Sequence, residues 1–109
     1  MKNKILCIDF DGTITKTDEY IKEAELQDHA VEVLIHLKNN GYKIIIWSCR
    51  ANPQINNYHI RLQHMKDTLY KYKIPYDEIA IGPKPLADYY IDDKAIQFTS
   101  WIDILNLLN

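Results

Sequence analysis

The chain has 109 residues, of which 47% are hydrophobic and 26% charged, and its formal net charge is −2. These values are typical of a single globular domain that buries its own core, so we expect one domain over residues 1–109. The small net charge offers no basic surface for nucleic acid or an anionic membrane, and neither is an expected partner. No run approaches transmembrane length and the first apolar stretch is too short for a signal peptide, so a cytoplasmic protein is expected.

Apolar runs and amphipathic runs alternate along the chain. In order they predict a strand over 4–9, a helix over about 28–40, a strand over 42–48, a helix over about 55–72, strands over 79–81 and 89–91, and a helix over about 101–108. The second strand is continuously apolar, which is typical of a parallel strand covered on both faces. The order predicts an α/β fold with a mostly parallel sheet and helices on both faces.

Two carboxylates follow the first predicted strand in the sequence Asp9-Phe10-Asp11-Gly12-Thr13. Side chains two residues apart point to the same side of a strand, and like charges that close repel unless a cation or a shared proton compensates. The glycine allows a sharp turn or the close approach of a ligand. A solvated, Asp-rich turn after an edge strand is the alternative for this motif taken alone.

Polar residues also follow the other predicted strands: Ser48 and Arg50 the second, Lys84 the third, and Asp92 and Asp93 the fourth. Ligands of such folds bind beyond the carboxyl ends of the strands. Four carboxylates at one edge, without a cation, would repel one another by several kcal/mol at an effective dielectric of about 20. A cluster of oxygen ligands favours a hard cation, and beside phosphate Mg²⁺ is the usual one.

Four ordered motifs resemble the haloacid dehalogenase (HAD) superfamily: Asp-Phe-Asp-Gly-Thr, a serine after an apolar second strand, a lysine, and a strand that ends in Asp-Asp. The stretch from Gly82 to Ala95 is similar to small HAD phosphatases associated with capsule or lipopolysaccharide biosynthesis. The resemblance implies a Rossmann-like, HAD-type three-layer sandwich without a cap domain, in one HAD-like hydrolase domain. It also implies a Mg²⁺-dependent phosphomonoester hydrolase that forms an aspartyl-phosphate intermediate.

The resemblance assigns four catalytic residues. Asp9 would be the nucleophile, and Asp11 would protonate the leaving oxygen and then deprotonate the hydrolytic water. Ser48 would donate a hydrogen bond to a phosphoryl oxygen, and Lys84 would neutralise charge on the phosphoryl group. Lys94 is a second candidate for this lysine, but the family's lysine precedes the final acid pair, which favours Lys84.

The metal site that the resemblance implies contains Mg²⁺ and four acids, Asp9, Asp11, Asp92 and Asp93. Asp11 would contribute its backbone carbonyl, Asp92 would be a direct ligand, and Asp93 would ligate directly or through a water.

The expected substrate contacts are Thr13, Ser48, Arg50 and Lys84. Thr13 would order the turn after the acids and touch phosphate through its backbone amide. Arg50 lies where related sequences contact phosphate or substrate, and a structural ion pair is an equally good interpretation. We expect Asp88, which precedes the fourth strand, to be solvated.

Other functions remain as alternatives. The second carboxylate argues against dehalogenase chemistry, and phosphomutases of this type usually carry a cap. A signalling receiver domain combines similar groups, but its phosphorylated aspartate ends a middle strand, and nothing acidic ends residues 44–47. A catalytically silent HAD-fold binding protein is the alternative from a different class.

Neither of the intervals 14–42 and 51–82 has residues to spare for a cap domain, so the expected site is open. Either a macromolecular substrate, a protein or nucleic acid phosphate, covers the site, or a neighbouring subunit does. The similarity to the capsule-type phosphatases favours a small phosphorylated substrate such as a sugar phosphate, and a homo-oligomer. The segment Thr15–Tyr20 is expected to form a flap near the entrance.

Overall fold

The structure is a computed structural model and describes residues 4–109, so the first three residues of the predicted domain lie outside the described part. In chain order its elements are β1 (Ile5–Ile8), α1 (Ala30–Asn39), β2 (Lys43–Trp47), a short 3₁₀ helix (Cys49–Ala51), α2 (Tyr58–Lys71), β3 (Glu78–Ala80), β4 (Tyr89–Ile91) and α3 (Trp101–Leu108). Over these residues, none of the helices combines the length and apolar character needed to cross a membrane.

The four strands form one parallel sheet in the order β3-β2-β1-β4. β1 lies inside the sheet, where Leu6 is level with Ile44 of β2 and with Tyr89 of β4. The predicted Rossmann-like α/β fold is confirmed, and the sheet is parallel throughout where the sequence predicted a mostly parallel one. Within residues 4–109, no cap domain follows β1 or β2.

The main core lies between one face of the sheet and the two longer helices. Alternate residues of a strand point to opposite faces. The core side chains of β1 and β2 occupy matching positions of one face, and α1 and α2 cover that face with Leu34, Met65 and Leu69. Each fully buried aliphatic side chain contributes about 1.5–3 kcal/mol, so this layer provides most of the driving force for folding.

The β3–β4 connection lies against the opposite face of the sheet, where Cys7 is buried. The Trp47 indole nitrogen donates to the Gly82 carbonyl at 3.2 Å, and the Tyr90 hydroxyl donates to the Pro85 carbonyl at 2.7 Å. These hydrogen bonds fasten a loop that contains two prolines to the ends of β2 and β4.

Each edge strand is preceded by an aspartate that makes two hydrogen bonds to one residue of the neighbouring inner strand. The Asp77 amide donates to the Ile44 carbonyl at 2.8 Å, while the Ile44 amide donates to the Asp77 carboxylate at 2.7 Å. Asp88 repeats both bonds with Ile5, at 2.8 and 2.7 Å. Asp88 is therefore exposed, as the sequence led us to expect, but its carboxylate has a structural partner that the sequence did not reveal.

The connection that follows the acid motif, residues 14–29, forms a flap that leads to α1 and contains the predicted segment Thr15–Tyr20. It is closed by an antiparallel bridge between Thr15 and Leu26, and the Lys16 amide donates to the Glu25 carbonyl at 2.9 Å. Thr15 is fully buried at the base of the flap, and its hydroxyl donates to the Thr17 carbonyl at 3.0 Å. The flap therefore begins directly after the acid motif and is anchored close to it.

Candidate functional site

Three of the four predicted metal-binding acids converge at the carboxyl edge of the sheet. Asp9 directly follows β1, and Asp92 and Asp93 follow β4, which is its neighbour. The Asp9 amide continues the sheet by donating to the Ile91 carbonyl at 3.0 Å. One carboxylate oxygen from each of the three acids lies within 4.8 Å of the other two.

This group has the donor chemistry of a site for a hard divalent cation. It is made of carboxylate oxygens alone, which suit Mg²⁺ or Ca²⁺ and not the softer transition metals. Burial, followed by the charges of Asp92, Asp93 and Asp11, raises the pKa of Asp9 to about 7. A cation among the three acids would offset the repulsion that adds to the effect of burial on this pKa, so the residues fit a bound metal ion.

The carboxylate of the fourth acid, Asp11, pairs with Arg50 instead of joining this group. The Arg50 Nη2 lies 2.8 Å from Asp11 Oδ1, and Nε lies 3.0 Å from Oδ2. Burial raises the pKa of Asp11, while Arg50 and the Ser48 hydroxyl lower it and offset part of that rise. The resemblance assigned the backbone carbonyl of Asp11 to the metal, and that ligand remains a prediction.

Arg50 is buried, with 1% of its surface exposed. Besides Asp11 it donates to the Ile21 carbonyl of the flap at 3.0 Å and to the Arg61 carbonyl of α2 at 3.4 Å. The sequence offered a substrate contact and a structural ion pair for Arg50. The structure contains the ion pair, and the substrate contact remains a prediction.

The turn after Asp9 holds the acids close together. The Thr13 amide donates to the Phe10 carbonyl at 3.3 Å, and the Thr13 hydroxyl donates to Asp9 Oδ2 at 3.3 Å. Gly12 has a φ of +85°, and a Cβ atom there would lie 2.9 Å from the Cγ of Asp93 and closer still to its Oδ2. Glycine is therefore required both by its backbone conformation and by the approach of Asp93.

An open cavity of about 230 Å³ lies over these acids. The predicted Ser48 lines it, and its hydroxyl donates to Asp11 Oδ2 at 3.4 Å while accepting from the Arg50 amide at 3.1 Å. Sequence reasoning did not single out Asp18 or Cys49, which also line the cavity, or give Tyr20 a role beyond ending the flap. Asp18 and Tyr20 come shortly after the acid motif and Cys49 directly follows Ser48, and this closeness in sequence could have indicated their place at the site.

The two candidate lysines occupy different places. The Lys84 ammonium lies 4.2 Å from the centre of the Tyr90 ring and 5.6 Å from that of Trp47, and it is not among the residues that line the cavity. Lys94 does line the cavity; its ammonium is 2.6 Å from Asp18 Oδ2 and 3.8 Å from Asp93 Oδ2. Lys94 thus links the flap to the loop that carries the acids.

The two cysteines are both free, and only Cys7 is buried. Burial raises the pKa of the Cys7 thiol, and the nearby Lys84 ammonium lowers it. Cys49 is exposed because it begins the 3₁₀ helix after β2, where the chain has left the sheet.

Comparisons with known proteins support the fold. No family model matches the chain, and no curated protein does. The chain is similar to the crystal structure of a structural-genomics target from Vibrio cholerae, with 29% identity, a TM-score of 0.59 and coverage of 95% of both chains. It is also similar to a chain of the Pnkp1/Rnl/Hen1 complex, with 24% identity, a TM-score of 0.51 and 98% of the present chain covered.

A second structure, of the Pnkp1/Rnl/Hen1 RNA repair complex, gives 23% identity, a TM-score of 0.49 and 99% coverage of the present chain. The present chain spans about a third of both of these larger chains, 34% and 32%. The similarity at TM-scores of 0.59 and 0.51 agrees with the parallel α/β architecture described above.

Proposed function

We propose that this chain is a Mg²⁺-dependent phosphomonoester hydrolase of the HAD type, with Asp9 as its nucleophile. The observation that carries the proposal is the convergence of Asp9, Asp92 and Asp93 within 4.8 Å at the carboxyl edge of a parallel sheet. Three carboxylates this close are unfavourable without a cation, and the nucleophilic one must be ionised to react. Mg²⁺ held by these acids would screen the negative charge of a phosphate group from that of the nucleophile.

Asp9 and Asp11 would divide the chemistry between them. A carboxylate oxygen of Asp9 attacks phosphorus, the bond from phosphorus to the leaving oxygen breaks, and Asp11 gives that oxygen a proton. Water then attacks the phosphorus of the aspartyl-phosphate while Asp11 takes up its proton, the bond from phosphorus to the Asp9 oxygen breaks, and inorganic phosphate leaves with Asp9 restored as a carboxylate. Burial raises the pKa of Asp11, which favours the uptake of the proton that a general acid transfers.

The other side chains would position and neutralise the phosphoryl group. The Ser48 hydroxyl lies on the cavity and is free to turn from Asp11 towards a phosphoryl oxygen. The Thr13 hydroxyl already holds Asp9 at 3.3 Å, which fixes the direction of the nucleophile. Lys84 would neutralise charge on the phosphoryl group, as the lysine motif implies. Phosphoryl transfer depends mainly on such positioning and charge stabilisation.

The test is the release of p-nitrophenol from p-nitrophenyl phosphate, with and without Mg²⁺. Wild-type protein should turn the substrate over only with the metal. Asp9→Asn should remove turnover while the far-ultraviolet circular dichroism stays unchanged. Asp67→Asn removes an acid of α2 outside the three-acid group and should leave turnover intact. Equal rates for wild type and Asp9→Asn would overturn the proposal in favour of a non-catalytic binding protein of the same fold.

The substrate that we propose is a small phosphorylated molecule such as a sugar phosphate. The cavity of about 230 Å³ is comparable in size to a small ligand and is bordered by Tyr20 of the flap. A panel of sugar phosphates, nucleotides and phosphorylated polymers tests this choice. Higher kcat/KM on a phosphorylated polymer than on every small phosphate would indicate a macromolecular substrate instead.

A further inference from the structure

The C-terminal helix α3 is strongly apolar, yet none of its residues is buried. Trp101, Ile102, Leu105 and Leu108 are between 60% and 76% exposed. At about 3.6 residues per turn these four side chains share one side of the helix, and Asp103 lies on the opposite side. Asp103 is the single charged residue between positions 95 and 109. A helix of this composition is typical of one that packs against protein.

The exposed apolar area is large enough for a stable interface. At about 150–250 Å² for a large side chain, the exposed parts of the four side chains on this face add up to roughly 500 Å², and the groove adds further area on each copy. Standard interfaces bury about 800 Å² on each partner. Monomeric proteins rarely leave a contiguous apolar patch larger than a few hundred Å² in water.

The same chain carries an apolar groove between α1 and the edge of the sheet at β4. It is lined by apolar side chains from β1, the flap, α1 and β4, namely Ile8, Ile14, Val33, Leu34, Leu37 and Ile91. Val33 is 51% exposed and Ile91 42%, and residues of α3 are not among those that line the groove. Over the described residues, the groove and the helix are thus two unpartnered surfaces of the same character.

We propose that α3 of one copy docks into the α1–β4 groove of a second copy, and that the second copy does the same in return. A chain that carries both an apolar helix and an apolar groove supplies both surfaces of a twofold symmetric dimer. Such a dimer contains the contact between helix and groove twice. Thr13 borders the groove and donates to Asp9, so the partner's helix would lie beside the acid motif. The proposal stands independently of the phosphatase function.

Sedimentation velocity of the full chain at micromolar concentration tests this dimer. Leu105→Glu on the helix and Val33→Glu in the groove should each weaken association roughly a hundredfold, since each places a charge in the apolar contact. Ile35→Glu, on α1 but outside the groove, introduces the same charge and should leave the dimer intact. Circular dichroism checks that all three variants are folded.

Mixing the two weakened variants distinguishes exchange from other kinds of dimer. One contact of the mixed pair joins an unaltered α3 to an unaltered groove, so the mixture should associate more tightly than either variant alone. A wild-type chain that stays monomeric at every concentration tested would overturn the proposal. A dimer that is lost in Leu105→Glu but unaffected by Val33→Glu would also overturn it, because the helix would then bind elsewhere.

Discussion

Arg50 holds both carboxylate oxygens of Asp11 inside the protein, with Nη2 at 2.8 Å from Oδ1 and Nε at 3.0 Å from Oδ2. The exposed fractions of the two side chains are 1% and 6%. Because the same guanidinium also donates to the Ile21 carbonyl, it connects the acid motif to the flap. Arg50 therefore acts through Asp11 and the flap, as a positioning residue.

Removing Arg50 alone should be strongly destabilising. Arg50→Met leaves the Asp11 carboxylate buried without its partner, which lowers the free energy of unfolding by about 3–5 kcal/mol. The double variant Asp11→Leu/Arg50→Met removes both charges and should recover a large part of that loss. Urea denaturation measures both values, with Arg61→Met as the control for removing an arginine that also contacts Tyr20. Equal stability of Arg50→Met and wild type would contradict the buried ion pair.

Mg²⁺ should stabilise the folded protein. The three-acid group is repulsive when empty, so a bound cation raises the free energy of unfolding, by about 2.7 kcal/mol at a hundredfold excess over the dissociation constant. Asp92→Asn should blunt the rise in melting temperature, while Asp67→Asn on α2 should not. Differential scanning fluorimetry across a Mg²⁺ titration measures this response. A melting temperature independent of Mg²⁺ would argue against a preformed site.

Two glycines provide a matched pair for testing the approach of Asp93. Gly12 and Gly82 have φ values of +85° and +88°, so alanine strains the backbone at both, by about 1–2 kcal/mol. Only the Gly12→Ala methyl group meets Asp93, whereas nothing lies within 4 Å at Gly82. Both variants should lose similar stability through the backbone, but only Gly12→Ala should weaken Mg²⁺ binding, measured by isothermal titration calorimetry. Equal Mg²⁺ affinity in the two variants would contradict this steric account.

The two lysines should affect different kinetic parameters. Lys84→Met removes the charge proposed to act on the phosphoryl group and should lower kcat by roughly a hundredfold with p-nitrophenyl phosphate. Lys94→Met breaks the 2.6 Å contact with Asp18 on the flap and should mainly raise KM. Steady-state kinetics of both variants separates these effects. A larger fall in kcat for Lys94→Met than for Lys84→Met would indicate that Lys94, and not Lys84, acts on the phosphoryl group.

Asp77 should make stability depend on pH in the acidic range. Partial burial raises the pKa of Asp77, but hydrogen bonds from Lys38 and the Ile44 amide outweigh it, and the net pKa is lowered. The contribution of Asp77 is therefore present above the unfolded carboxyl pKa of about 3.9 and is lost as the pH falls through the lower folded value.

The matching experiment compares wild type with Asp77→Asn by urea denaturation between neutral pH and about pH 2.5. The difference in unfolding free energy should be about 1 kcal/mol at neutral pH and should shrink below about pH 4, as expected for a partly exposed, hydrogen-bonded carboxylate. A difference that does not change with pH would show that Asp77 acts without its charge.

The fold and the convergence of the acids could be predicted because both depend on local patterns. Apolar runs identify strands, and parallel strands necessarily bring their carboxyl ends to one edge, so Asp9 and Asp92 had to be neighbours once β1 and β4 were paired. The pairing of Asp11 with Arg50 joins residues 39 positions apart and depends on side-chain directions that no local pattern records.

Other features depend on tertiary contacts that the sequence does not encode locally. The helical pattern of α3 was predictable, but its lack of a partner within the described chain was not, because the same pattern describes a helix packed on its own domain. The separation of Lys84 from the cavity likewise follows from the rings of Tyr90 and Trp47, which attract its ammonium group.

The hydrogen bonds of Asp77 and Asp88 at the amino ends of the edge strands also affect the carboxyl edge of the sheet. Parallel neighbours are not aligned by a hairpin turn, so another feature must set their register. Asp88 fixes the starting point of β4 against Ile5, and Asp92 follows about 13 Å further along at the usual rise per residue. A slip of one residue would move Asp92 by about 3.3 Å and reverse its direction. A carboxylate at the amino end of each edge strand thus fixes the register of that strand. At β4 this register determines the positions of Asp92 and Asp93 relative to Asp9.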